Sequence, residues 1–239
     1  VQETVNLENL YKGQPIALPE IQYKDFVWKA MLGGDLNVDF NSKISPRAFF
    51  AGPVRLEFSD QEANLKTADL AKLIDEQQGT IYNTNGQLEW HYKKGFAQVD
   101  TPTSQGAAGF LKDAGEIVLS DVTLSSQNQY GTLAAVSLDG KPLRDSGSIL
   151  IQAVTQDKPF GYKTQPIDKQ GAVRVTALGG HPFMVRQITA QVTLSGKARG
   201  KVTVLDGNGY RTTKPVRTET RGEDLIIQLP SDALYTLVE

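Results

Sequence analysis

Cysteine is absent from this chain, and histidine, methionine and tryptophan each occur only twice. The absence of cysteine excludes disulfides, thiol nucleophiles and cysteine-ligated zinc sites. His91 and His181 are the only histidines, so a catalytic triad or a histidine-based metal site has few residues to draw on. The composition therefore gives no support to hydrolases or metalloproteins that depend on these side chains.

Long apolar runs and a basic excess are also missing. No apolar run approaches the ~20 residues that a membrane-spanning helix needs. The formal net charge is −2 and the pI is about 5.8, which indicates no basic face for nucleic acid. We therefore expect neither nucleic acid nor a membrane span. The chain begins at Val1 without a leader pattern, and we expect a mature or excised chain.

The spacing of turn-forming residues predicts the fold class. Turn signals recur about every 8–12 residues, which is typical of sandwiches and barrels. We predict an all-β, mainly antiparallel fold made of two packed β-sandwich units with one short helix at residues 67–77. The predicted domains are an irregular N-terminal segment at residues 1–45, a β-sandwich at 46–165 and a smaller β-sandwich at 166–239. An interrupting loop at residues 156–166 precedes the boundary.

The segment QLEWHYK lies between an Asn-Gly turn and a Lys-Lys-Gly turn and predicts one strand of a hairpin. Alternation places Leu88, Trp90 and Tyr92 on one face. Glu89, His91 and Lys93 lie on the opposite face. We predict that Trp90 packs into the core and that His91 belongs to a solvated polar row. An exposed carbohydrate platform at Trp90 is the alternative.

Carboxylates are the candidates for catalytic groups, and oxygen-rich segments are the candidates for metal ligands. Glycoside hydrolysis needs two carboxylates about 5–9.5 Å apart, and sequence spacing brings no two acids together. We assign no catalytic residue. The oxygen-rich segments GDLNVDFN and LDGNGY are explained as a half-buried strand and a turn. We assign no metal site, and a structural Ca²⁺ ion is the one cofactor left open. The carboxylates considered are Glu57, Glu89, Asp100 and Glu116.

Aromatic residues in predicted loops are the best candidates for a binding site. Tyr130 lies in SSQNQYGT, and Phe160 and Tyr162 lie in KPFGYKT, beside amide and lysine side chains. Flat rings stack on pyranose faces while amides bond hydroxyl groups, as in small-ligand sites. We predict carbohydrate binding at Tyr130, Phe160 and Tyr162, with Trp90 as a further candidate. The alternative is that these rings fold back onto the sheet.

Four segments carry a resemblance to a known family. They are Gly-x-Leu-x-Trp at residues 86–90, Val-Asp-Thr-Pro at 99–102 followed by Gln105, Ser-Leu-Asp-Gly-Lys-Pro-Leu at 137–143 and Leu-Pro-x-x-Ala-Leu-Tyr at 229–235. Together they resemble the β-rich region that follows a catalytic (α/β)₈ barrel in large secreted bacterial proteins related to cellulase-type glycoside hydrolases. The likeness runs from Ala48 to the C-terminus.

The resemblance implies a non-catalytic accessory region of a secreted bacterial polysaccharide-degrading enzyme. Its implied partners are a polysaccharide or oligosaccharide and a catalytic domain of the same parent protein. It implies no catalytic residue here, because the family's catalytic residues lie on the barrel and no alternating strand–helix pattern is visible in this chain. Two other hypotheses stay open: a carboxylate-dependent glycoside hydrolase or lyase on a β fold, and a purely structural or adhesive module.

Overall fold

The structure is a computed structural model and describes residues 48–52, 72–167, 172–198 and 200–239. These residues form antiparallel strands and turns, with two one-turn helices, α1 (Ala48–Ala51) and α2 (Leu111–Ala114). The predicted all-β, mainly antiparallel fold class is confirmed. The helix predicted at residues 67–77 is wrong where the structure describes it, because Ile74–Asp75 form a strand.

The strands are short and are numbered in chain order. They are β1 (Ile74–Asp75), β2 (Thr80–Tyr82), β3 (Leu88–His91), β4 (Phe96–Asp100), β5 (Ser104–Gly109), β6 (Ile117–Val118), β7 (Val122–Ser126), β8 (Gly131–Ser137), β9 (Ile149–Thr155), β10 (Asp157–Phe160), β11 (Lys163–Pro166), β12 (Val173–Ala177), β13 (Gly180–Val185), β14 (Ala190–Leu194), β15 (Val202–Leu205), β16 (Arg217–Arg221), β17 (Asp224–Gln228) and β18 (Tyr235–Val238).

The chain divides into two compact units. The described part of the smaller unit comprises residues 48–52, 72–75 and 81–84. Within it the Tyr82 N–H donates to the Leu73 carbonyl at 2.8 Å, and the Thr84 N–H donates to the Ala51 carbonyl at 2.7 Å. The larger unit comprises residues 76–80 and 85–239, and it carries the candidate sites discussed below.

Two antiparallel sheets make up most of the larger unit. One has the strand order β3-β4-β5-β8-β9-β18-β15 and the other has the order β16-β17-β14-β7-β6. Ala135 and Ile151 from the first sheet and Val192 and Ile227 from the second are fully buried in one hydrophobic cluster. Because both sheets contribute to the same core, they pack as a β-sandwich.

The domain boundary predicted at residue 166 does not divide this sandwich. Strand β18 follows residue 166 and pairs with β9, which precedes it, and β15 pairs in turn with β18. Strand β7 precedes residue 166 and pairs with β14, which follows it, and β6 pairs in turn with β7. Residues on both sides of the boundary therefore belong to one unit. Sequence periodicity locates strands but does not show which strands pair across long separations.

The described residues 157–167 and 172–185 form a ribbon that joins neither main sheet. Strand β10 pairs with β13 and β11 pairs with β12, and we call the described residues 157–167 and 172–185 the arm. At its base the Arg186 N–H donates to the Gln156 carbonyl at 2.9 Å. The loop predicted at residues 156–166 is therefore wrong for β10 and β11. Nearly all arm side chains are exposed on both faces, so neither face of these strands is buried against a core.

Candidate functional site

Two exposed aromatic rings lie in contact on the larger unit. The centroids of Phe110 and Tyr130 are 5.4 Å apart and the rings are nearly perpendicular, at 79°. Phe110 is 42% and Tyr130 is 46% exposed. We call these two residues the aromatic pair. Edge-to-face rings hold each other in a fixed orientation while leaving ring surface open to a ligand.

The turn that carries Tyr130 is anchored by buried hydrogen bonds. Asn128 is buried, and its side-chain amide donates to the Gln187 carbonyl at 2.8 Å. The Asn128 side-chain oxygen accepts from the Thr189 N–H at 2.8 Å. The Asn128 backbone N–H donates to the Ser126 hydroxyl at 3.1 Å. Asn128 therefore holds the β7–β8 turn against residues 187–189. Tyr130 is presented by a fixed turn rather than by a free loop.

Phe110 is positioned by the residues that precede α2. Its N–H donates to the Gly95 carbonyl at 3.1 Å. A Cβ at Gly95 would lie 2.7 Å from the Phe110 ring, so the ring fits only against a glycine. The Gln129 side-chain amide donates to the Asp113 carboxylate at 2.7 Å and links the Tyr130 turn to α2. An amide and a carboxylate therefore lie beside the aromatic pair.

The four predicted carbohydrate-binding residues lie at three places: Phe160 and Tyr162 on the arm, Tyr130 in the aromatic pair and Trp90 on β3. Phe160 ends β10 and is 62% exposed. Tyr162 is half-buried on the arm, with the Lys158 Nζ 5.7 Å from its ring centre. Tyr130 contacts Phe110, and Trp90 contacts Tyr92. None of these described contacts joins two of the four predicted residues. Phe110 was not among the predicted site residues, because GAAGFL carries none of the polar loop residues that surround Tyr130 in SSQNQYGT.

The prediction of which face of β3 points toward the core was wrong: the face of His91 is the inner one, not the face of Trp90. Cross-strand partners share a face, and His91 pairs with the core residue Phe96. Trp90 pairs with Ala97 on the other face, is half-buried and contacts Tyr92 edge-on at 5.9 Å. The face that carries His91 is therefore the one turned toward the core. Alternation identifies the two faces of a strand, but both faces here carry large side chains, so it could not select the inner one.

His91 belongs to a partly buried hydrogen-bonded group. Its ring stacks on Phe96 at 4.3 Å, and its Nε2 lies 3.0 Å from a Glu89 oxygen. The Gln98 amide donates to the other Glu89 oxygen at 2.7 Å. Burial is the largest influence on the pKa of His91 and lowers it; Glu89 opposes this shift and Lys94 adds to it. The contacts support a structural role for His91, since every neighbour is fixed by the fold.

A polar cleft of about 340 Å³ opens near the end of β4. Asp100 accepts hydrogen bonds from the Ser120 N–H at 3.0 Å and from its hydroxyl at 2.9 Å. Asp121 accepts from Nε and Nη2 of Arg144 at 3.0 and 2.9 Å. The cleft is lined by Asp100, Thr101, Pro102, Gln105, Ser120, Asp121, Pro142, Arg144 and Asp145.

The cleft brings acids together that sequence spacing left apart. The carboxylates of Asp100 and Asp121 already accept hydrogen bonds from other wall residues. Gln105 is buried, and its oxygen accepts from the Asp121 N–H at 2.8 Å. These contacts support a rigid polar wall. Five wall residues belong to the segments that carry the family resemblance: Asp100, Thr101, Pro102, Gln105 and Pro142.

Candidate metal ligands are not clustered in the described part of the chain. Among residues 48–52, 72–167, 172–198 and 200–239, no three histidine, aspartate or glutamate side chains form a group that could hold a metal ion. An Asp206 oxygen accepts from the N–H groups of Asn208 and Tyr210, both at 2.9 Å, which is a turn contact. The segment GDLNVDFN lies outside the described residues.

The turn at residues 137–143 is closed by one carboxylate. Asp139 accepts from the Gly147 N–H at 2.9 Å and from the hydroxyls of Ser146 and Ser137, both at 2.8 Å. The Gly147 N–H, followed by the Ser146 and Ser137 hydroxyls, holds the pKa of Asp139 well below its usual range. The charged carboxylate therefore holds together the loop beside Pro142 of the cleft.

Acid should weaken this turn. The folded-state pKa of Asp139 lies below its ordinary 3.8, so its contribution to stability is present above that pH and is lost as the pH falls toward the folded value. We expect Asp139→Asn to lower the urea midpoint at pH 7. The difference from the wild-type chain should shrink below about pH 4. A difference that is the same at pH 7 and pH 3 would contradict this account.

Comparison of the chain with protein-family models, with curated proteins and with solved structures finds no match. The described helices are too short to cross a membrane. Function is therefore argued from the geometry and from the sequence resemblance.

Proposed function

We propose that this chain is a non-catalytic accessory region of a secreted bacterial polysaccharide-degrading enzyme and that it binds carbohydrate at the aromatic pair. The observation that carries the proposal is that two large rings remain exposed on anchored backbone. A fixed ring surface loses little conformational freedom when a ligand binds, which favours affinity.

The chemistry beside the rings suits a hydroxyl-rich ligand. Ring faces pack against the C–H surface of a pyranose, and a few placed polar groups fix its orientation. Gln129 and Asp113 lie at the edge of the pair and are held by their mutual hydrogen bond. Their remaining donor and acceptor positions are suited to sugar hydroxyls. Phe160 and Tyr162 on the arm form a second group of candidates for the same function.

A second role, as a support for a catalytic domain of the same parent protein, belongs to this proposal. It rests on the family resemblance, whose segments include wall residues of the polar cleft. Prolines and an anchored turn there favour a preformed surface over a mobile one. The same resemblance motivates the proposed secretion and bacterial origin, and it implies that the catalytic acids would belong to another domain.

The test is binding of the purified chain to a panel of polysaccharides by affinity electrophoresis, followed by calorimetry on any ligand that retards it. Burial of an aromatic ring contributes about 1.5–3 kcal/mol, so Tyr130→Ala should weaken binding by roughly ten- to hundredfold. Phe110→Ala should also weaken it, because Tyr130 would lose the ring that holds it.

Tyr210→Ala is the matched control. Tyr210 is 72% exposed on a turn after β15, and its removal should leave retardation unchanged. If Tyr130→Ala binds as well as the wild-type chain, the aromatic pair is not the glycan site. If a folded sample is retarded by no polysaccharide at all, the carbohydrate-binding part of the proposal fails and the supporting role alone remains.

A further inference from the structure

The arm carries an unusual share of the exposed apolar surface. Sixteen large hydrophobic side chains are exposed in the described residues, and eight of them belong to the arm. Such a concentration marks an interaction surface more often than an ordinary solvent-exposed face. The eight are Phe160, Ile167, Val173, Val175, Leu178, Phe183, Met184 and Val185.

Both faces of the arm are apolar. Pro159 pairs with Phe183 on one face, where His181 contacts the Phe183 ring at 4.9 Å. Lys158 pairs with Met184 on the other face. Six of the eight exposed side chains are aliphatic rather than aromatic. Aliphatic side chains offer no flat ring to a sugar, so the composition favours a protein partner.

The edges of the arm are poorly suited to strand addition. Pro159, Pro166 and Pro182 lie in its strands and lack an N–H donor. The register also shifts after Pro159 and after Lys163. Prolines and bulges at sheet edges prevent pairing with other chains. A partner is therefore expected to dock on the side-chain faces of the arm.

Charge points to an acidic partner. Residues 156–187, which include the arm, contain five basic and two acidic side chains, which is a net charge of +3. The rest of the larger unit contains twelve basic and fourteen acidic side chains, which is a net charge of −2. On the larger unit, the polar cleft has three aspartates and one arginine. The arm and the rest of the larger unit are thus complementary in charge, which favours association between copies.

The size of the arm suits a modest interface. At about 3.3 Å per residue, ten residues span about 33 Å, and two strands are about 10 Å wide. One face then offers roughly 300 Å². Two copies that each lay an arm on the other would bury on the order of 1,200 Å² in total, the lower limit of a stable specific interface.

We propose that the arm docks on the larger unit of a second copy of this chain and forms a two-fold symmetric dimer by reciprocal arm contact. This inference goes beyond the proposed function and does not rest on it. Reciprocal contact covers apolar side chains on both copies at once, and a two-fold axis closes the assembly so that it does not extend into a fibre.

The experiment is sedimentation velocity of the full chain at low and high protein concentration. The wild-type chain should dimerise as concentration rises, and added salt should weaken the dimer. The double variant Leu178→Ser with Phe183→Ser should dimerise at least roughly tenfold more weakly, because central apolar contacts dominate interfaces. The double variant Lys163→Glu with Arg174→Glu tests the charge and should weaken it similarly.

Leu138→Ser is the apolar control, because Leu138 is exposed outside the arm, and Lys141→Glu is the charge control. Both should dimerise like the wild-type chain. Far-ultraviolet circular dichroism with urea verifies that each variant is folded. A chain that is monomeric at every concentration overturns the proposal, as does a dimer that the arm variants leave unchanged. Glycan retardation of Phe160→Ala and Tyr162→Ala separately tests the carbohydrate-binding candidates on the arm, so the two proposals can fail independently.

Discussion

Ile227→Ala is expected to lower the free energy of unfolding by about 2–5 kcal/mol, in a single transition of the larger unit. Ile227 is fully buried on β17 and belongs to the cluster that contains Ile151 on β9. Removing its side chain leaves a cavity between two sheets that share this core, so strands on both sides of residue 166 lose stability together. Urea unfolding followed by far-ultraviolet circular dichroism measures the effect.

Val118→Ala is the control for this variant. Val118 lies on β6 of the same sheet and is exposed, so its truncation should change stability by no more than about 0.5 kcal/mol. Two separate transitions, of which Ile227→Ala shifts only the later part of the chain, would contradict a shared core. They would instead restore a domain boundary near residue 166.

The fold class could be predicted from sequence because alternation and turn residues are local signals. Strands β14 and β17 carry such signals, an apolar alternation in AQVTL and an apolar run in DLIIQ. Pairing is not local, since β18 reaches back to β9 and β14 reaches back to β7. A sequence cannot show such pairing, and for this reason one sandwich was predicted as two.

Only Tyr130 of the aromatic pair was predicted, because a turn signal is local whereas the contacts of Phe110 are not. Tyr130 was identified because an Asn-Gln-Tyr-Gly segment between two apolar runs indicates a turn. Phe110 was not identified, because its position depends on Gly95 and on a turn that lies far away in sequence. Asp100 and Asp121 meet in the cleft through hydrogen bonds with loop residues, which no spacing rule predicts.

Gly109→Ala is expected to destabilise the larger unit by about 3 kcal/mol or more. Gly109 has a φ of +133°, a conformation that side chains rarely adopt. An added Cβ would lie 2.3 Å from the Gly95 carbonyl oxygen and 2.6 Å from the Phe96 Cα, which are backbone atoms that cannot move independently. Strain and steric overlap therefore act together at this position, and urea unfolding measures their sum.

Gly86→Ala separates the two causes. Gly86 also has a positive φ, of +72°, but an added Cβ there would meet no atom within 4 Å. Only the cost of placing alanine at a positive φ remains, and the free energy of unfolding is expected to fall by roughly 1 kcal/mol. Gly109 directly precedes Phe110, so in any folded fraction Gly109→Ala should also weaken glycan retardation, whereas Gly86→Ala should not. Equal losses of stability for both variants would show that the close packing of Gly109 against Gly95 and Phe96 adds no cost beyond the positive φ.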